Sequence, residues 1–227
     1  MTGGWGGFVA AYAAFLLTHA IPVRPPVRPW LVARLGPAGF GLAYSALSLA
    51  VLAWLFLAAR AAPPVLLWPA PPGAAHVTLL AMGLACLTLS FGLVRPNPLS
   101  FAGWRNERFD PEAPGIVGWI RHPILAAMAL WAAGHLVPNG DLAHVLMFGG
   151  FTGFALLGMA MIDRRRRREM GPAAWSQLVG RARACRLSQG AGPETFVRLL
   201  GAAVLVLALI ALHPWIAGVS IAAYFVP

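Results

Sequence analysis

The chemistry this sequence offers sits on six histidines, His19, His76, His122, His135, His144 and His213. Each lies within or at the end of an apolar run, where an imidazole is costly unless something binds it. A neutral imidazole is a good nitrogen ligand and needs no carboxylate beside it. Two of them, brought from different segments to one depth, would clamp the iron of a haem. Apolar runs so short of acids point away from hard cations, which want oxygen ligands. His122 and His135 share one run but lie about 20 Å apart along a helix, so no single ion takes both. A plainer use is open to all six: a bond to a main-chain carbonyl, or a place among lipid headgroups. His76 and His144, nearest water, suit that use best.

The elements that must position these side chains follow from composition. The chain has 227 residues, 59% hydrophobic and 11% charged, a balance suited to a bilayer rather than to a soluble core. Six apolar segments approach the length of about 20 residues needed to cross a hydrocarbon core of roughly 30 Å. They run near Trp5 to Ile21, Ala38 to Ala59, Ala75 to Val94, Trp119 to Val137, Leu142 to Ile162 and Phe196 to Val219. Pro22, Pro63, Pro64, Pro96 and Pro98 mark segment ends. Inside lipid only a helix satisfies its own backbone in an open chain, so the expected fold is all-α. We expect a single polytopic domain over residues 1–227, about six transmembrane helices in one bundle. The first segment lacks the basic lead of a signal peptide and reads as a retained span.

Charge sets the expected orientation. The net charge is +10 and the basic residues are all arginine. All of them but Arg60 fall in the first, third and fifth connections between spans, which places those connections in the cytoplasm and both termini in the periplasm of a bacterial inner membrane. No soluble basic domain remains to bind nucleic acid. After the fifth span, Trp175, Leu178, Val179, Ala182 and Cys185 share one helical face, the pattern of a helix lying in the inner interface. The run Arg164 to Arg168 reads first as a stop-transfer anchor, with a specific lipid or partner site as the alternative. In this orientation His19 and His122 lie at the inner side. His76, His135 and His213 lie at the outer side, where His144 can join them. Cys86 and Cys185 support neither a disulfide nor a thiolate metal site. Motifs such as HExxH, CxxC, GxSxG and the P-loop are absent from the sequence.

The stretches "FLLTHAIPVRP", "RHPILAAMALWAAGHLVPNGD" and "DRRRRREMGPAAW", with "LHP" at the last histidine, resemble in order the NnrU family and its plant and cyanobacterial relative, 15-cis-zeta-carotene isomerase. The similarity runs from about Phe15 to His213. It implies an integral membrane protein with haem b in the isomerase branch, where the haem assists rotation about a cis double bond of a carotenoid. The proposed axial ligands there match His19 and His135, which makes these two the metal residues the resemblance implies. An alternative thiol ligand of that branch falls on Ala132, so a ligand switch does not carry over. In bacteria the resemblance implies a link to denitrification and nitrogen-oxide metabolism. Straight spans put His19 and His135 near opposite faces, which leaves two pictures open: a first span re-entrant or tilted enough to move His19 outward, or the pairs His135 with His213 or His76 outside and His19 with His122 inside.

A second, distant similarity is to isoprenylcysteine methyltransferase and membrane sterol reductase folds, carried by the RHP motif followed by Glu169, Gly171 and Trp175. It implies an inner pocket for S-adenosylmethionine or NADPH lined by Arg121, His122, Glu169 and Trp175. The expected function is therefore haem-dependent redox or cis-trans isomerisation chemistry on a lipophilic small molecule, or support of nitrogen-oxide metabolism. A methyltransferase- or reductase-like enzyme and a non-catalytic accessory factor are the alternatives.

Overall fold

The computed structural model describes residues 4–101, 103–187 and 193–221. The long regular elements among them are α-helices: α1 (Trp5–Ala20), α2 (Val27–Ala61), α3 (Ala74–Gly92), α4 (Pro123–Leu136), α5 (Leu142–Met170), α6 (Pro172–Ala184) and α7 (Pro193–Ala217). Short 3-10 turns occupy Asn106–Arg108 and Gly115–Gly118. The β-type pairing among the described residues is an isolated bridge between Leu66 and Asp141. Four helices, α2, α3, α5 and α7, are long and apolar enough to cross a membrane, while α1 and α4 are apolar but shorter.

Three boundaries differ from the sequence expectation for local reasons. The fourth segment becomes helical only at Pro123, because a proline fits the first helical position and pushes the residue before it out of the α region. His122 accordingly has φ −119° and ψ 65°. Second, α5 runs through all five arginines, which are good helix formers on an exposed stretch, and stops where Gly171 takes φ +83°. Third, α2 starts at Val27 and carries a break at Gly36 (φ 70°, ψ 166°) just before Pro37.

The chain forms two compact units. In the first, residues 4–69 with 140–147, α1 packs on α2. Phe8, Ala11 and Phe15 form the buried stripe of α1, and Val51, Leu55 and Ala59 that of α2, each at helical spacing. The connection after α2 is stitched to residues 140–142. Leu67 N donates to Gly140 O at 2.8 Å and Leu142 N to Val65 O at 2.9 Å. Glycine is required at position 140, since a Cβ there would fall on the Trp68 carbonyl.

In the second unit, residues 70–139 with 148–221, close approach of small residues sets the packing, as expected where apolar burial gives no drive between helices in lipid. Gly134 of α4 sits against Ala81 of α3, and the Thr78 hydroxyl donates to Gly134 O at 2.9 Å. At the other end Gly92 of α3 lies against Pro123. These contacts make α3 and α4 antiparallel. Ser90 Oγ donates to Arg198 O at 2.7 Å, which sets α7 antiparallel to α3. Trp131 stacks on Phe151, and Leu125 touches Gly158, so α5 runs antiparallel to α4. One end of this unit therefore collects His76, His135 and His213. The opposite end collects His122, Asp163 and Arg198.

Candidate functional site

The histidine end is built on the last turn of α4. His135 Nδ1 is 2.8 Å from the Trp131 carbonyl one turn back, which fixes the ring, and the Asn139 amide donates to His135 O at 2.7 Å. The imidazole faces Phe148 of α5 at a ring separation of 5.2 Å, and Trp131 contacts both Phe148 and Phe151. His213 of α7 comes to 6.5 Å from His135 between ring centres, with the planes 27° apart. Its Nδ1 is 2.7 Å from the carbonyl of Val219, beyond the end of its helix. Both rings are thus held in the same way: Nδ1 carries the proton to a carbonyl, and Nε2 keeps the lone pair that a metal takes.

His76, in the first turn of α3, belongs to the same end of the unit. His144 pairs through Nδ1 with Asp141 at 2.8 Å, in the first unit. His19 also lies in the first unit, with Nδ1 2.8 Å from Phe15 O and its ring 4.1 Å from Phe15 and 6.0 Å from Tyr44. The structure brings together His135 and His213, and holds His122 at the far end of α4.

At that far end His122 is 4% exposed. Its Nδ1 accepts from the Ser100 hydroxyl at 2.9 Å and its Nε2–H donates to Asp163 Oδ1 at 3.0 Å. Arg121 grips the same carboxylate with two nitrogens, Nη2 to Oδ2 at 2.6 Å and Nε to Oδ1 at 3.3 Å, a fork geometry that binds more strongly than a single contact. Asn97 knits the preceding loop under this cluster: its amide donates to Arg121 O at 2.9 Å and its oxygen accepts from Leu99 N at 3.1 Å.

The residues expected around an inner cofactor pocket are divided. The Arg121 guanidinium lies 5.9 Å from the Trp175 ring, but Arg121 and His122 both turn to Asp163. Glu169 instead binds Arg165 and Arg166 at 2.6 and 3.0 Å. The apolar face of α6 rests on the Gly115–Gly118 turn, where a Cβ on Gly118 would strike Ala182 O. Sequence reasoning passed over Ser100, Asn97 and Asp163. The one available signal was Asp163 itself, an acid wedged between an apolar run and five arginines.

No curated protein and no solved structure matches this chain. The family described as NnrU protein matches it across residues 7–221, nearly its whole length. An all-helical chain with several membrane-length apolar helices, matched over that span, is a multi-pass membrane protein and belongs to the NnrU family.

Proposed function

We propose that this protein holds haem b in the bacterial inner membrane, and that His135 and His213 are the residues that would hold it. The approach of these rings carries the reading. Two imidazoles sharing one metal hold their centres about 6 Å apart, from a metal–nitrogen bond of about 2 Å and about 1.1 Å from nitrogen to ring centre on each side. The separation here is 6.5 Å. The carbonyl bonds at Trp131 and Val219 take up Nδ1 of each ring and leave Nε2 as the nitrogen that would ligate, the usual outer support of a ligating histidine. Bound haem supplies one-electron exchange. Phe148, Phe151 and Trp131 keep the His135 side apolar and exclude water from it. We assign the chemistry to a lipophilic small molecule, in redox or cis-trans isomerisation, or to support of nitrogen-oxide metabolism.

In this reading all six apolar segments cross. At 14 residues α4 is about 21 Å long, so the turn before Pro123 completes its path through a core of roughly 30 Å. The arginine bias puts the His122 end in the cytoplasm and both termini in the periplasm.

An absorption spectrum of the detergent-solubilised protein tests this. A Soret band is expected, lost or shifted in both His135→Ala and His213→Ala and retained in His19→Ala. A colourless, iron-free preparation from haem-replete cells overturns haem binding. Loss of the band in His19→Ala with retention in His213→Ala overturns the ligand assignment in favour of the pair that the family resemblance implies.

A further inference from the structure

The cytoplasmic extension of α5 has two charged faces that differ in what they meet. Arg165 and Arg166 are spent on Glu169. Nearby acids are likewise taken: Asp163 by Arg121 and His122, Glu112 by Arg181, Glu194 by Arg95 and Arg198. Arg164, Arg167 and Arg168 remain exposed, and no carboxylate among the described residues lies within ion-pair distance of them. At spacing i, i+3, i+4 the three share one face of the helix.

That face continues upward in apolar residues. Leu157 and Met161 precede Arg164 and Arg168 at helical spacing, and both are strongly exposed, at 66% and 57%. One stripe of α5 therefore changes from exposed hydrocarbon to exposed guanidinium within a turn. A partner matching both halves has acyl chains joined to an anion, and a guanidinium fork suits phosphate oxygens. We propose that this stripe is a binding site for an anionic phospholipid, with its phosphate on Arg164, Arg167 and Arg168 and an acyl chain along Met161 and Leu157. Clustered basic residues at the cytoplasmic end of a span are drawn to an anionic leaflet, so the three together favour such a lipid. The site is independent of any haem at the opposite end of the unit.

Lipid retention by the full chain tests it. The protein is solubilised in neutral detergent, mixed with equal phosphatidylglycerol and phosphatidylcholine, and read by native mass spectrometry. Wild type is expected to retain phosphatidylglycerol at least about fivefold over phosphatidylcholine, unchanged by added inorganic phosphate, since the apolar half of the site distinguishes a lipid from a free anion. The triple variant Arg164→Gln, Arg167→Gln, Arg168→Gln is expected to lose that preference, and Arg24→Gln, Arg28→Gln, Arg34→Gln to keep it. Should the first triple fail to insert, Arg164→Lys, Arg167→Lys, Arg168→Lys decides: it keeps the charge and is expected to weaken the preference through loss of the fork. Equal retention of both lipids, displacement by inorganic phosphate, a preference unmoved in an inserted variant of Arg164, Arg167 and Arg168, or its loss in the Arg24, Arg28, Arg34 variant overturns the site.

Discussion

Asp163→Asn is the substitution that most directly tests the cluster at the start of α4. The native carboxylate accepts from Arg121 twice and from His122 once, with side-chain exposures of 23% for Asp163 and 28% for Arg121. Breaking a fully buried pair costs about 3–5 kcal/mol, and an exposed one about 0.2–1 kcal/mol. A pair about a quarter exposed falls between, at about 2 kcal/mol. At about 2–4 °C per kcal/mol for a chain of this size, the expected fall in Tm is about 4–8 °C. Thermal unfolding in detergent, followed by tryptophan fluorescence, reads it. Arg121→Gln is expected to cost less, because His122 keeps its acceptor. The double variant should lose less than the two single losses added together, with a coupling of at least about 1 kcal/mol. Single losses that add to within about 0.5 kcal/mol would refute the claim that these groups act as one network.

Two more outcomes follow from the same unit. Gly134→Val is expected to lower Tm by the equivalent of about 1–3 kcal/mol, because a Cβ there comes within 2.7 Å of Ala81 Cβ and α3 and α4 must part; an unchanged Tm would show that the helices are not in contact there. His122→Phe is expected to lower Tm by the equivalent of about 1–3 kcal/mol, because the Ser100 hydroxyl and the Asp163 carboxylate each lose a partner there; an unchanged Tm would show that the ring does not join them.

The helices were legible because an apolar run in lipid has one way to satisfy its backbone, and proline and glycine end it. Which histidines share an end of the second unit also follows from residue order, since alternate helices run in opposite directions. Contacts across long stretches of sequence were not legible. Ser100 reaches His122 over 22 residues, and His122 reaches Asp163 over 41. No local pattern announces those partners, and an acid beside five arginines reads as ordinary surface charge. The start of α4 was misplaced because apolar character extends back to Trp119, whereas backbone sterics at the His122–Pro123 bond decide where the helix begins.

The interruption at Gly36 also sets how much of α2 a bilayer must accommodate. An unbroken rod of 35 residues would reach about 52 Å, far beyond a hydrocarbon thickness of roughly 30 Å. From Pro37 to Ala61 the remaining length is about 37 Å, which modest tilt absorbs. Proline supplies no amide to the carbonyl one turn before it, so the first ten residues, with Trp30, Arg28 and Arg34, are uncoupled from the axis of the rest. They can settle at headgroup depth while the remainder stands upright.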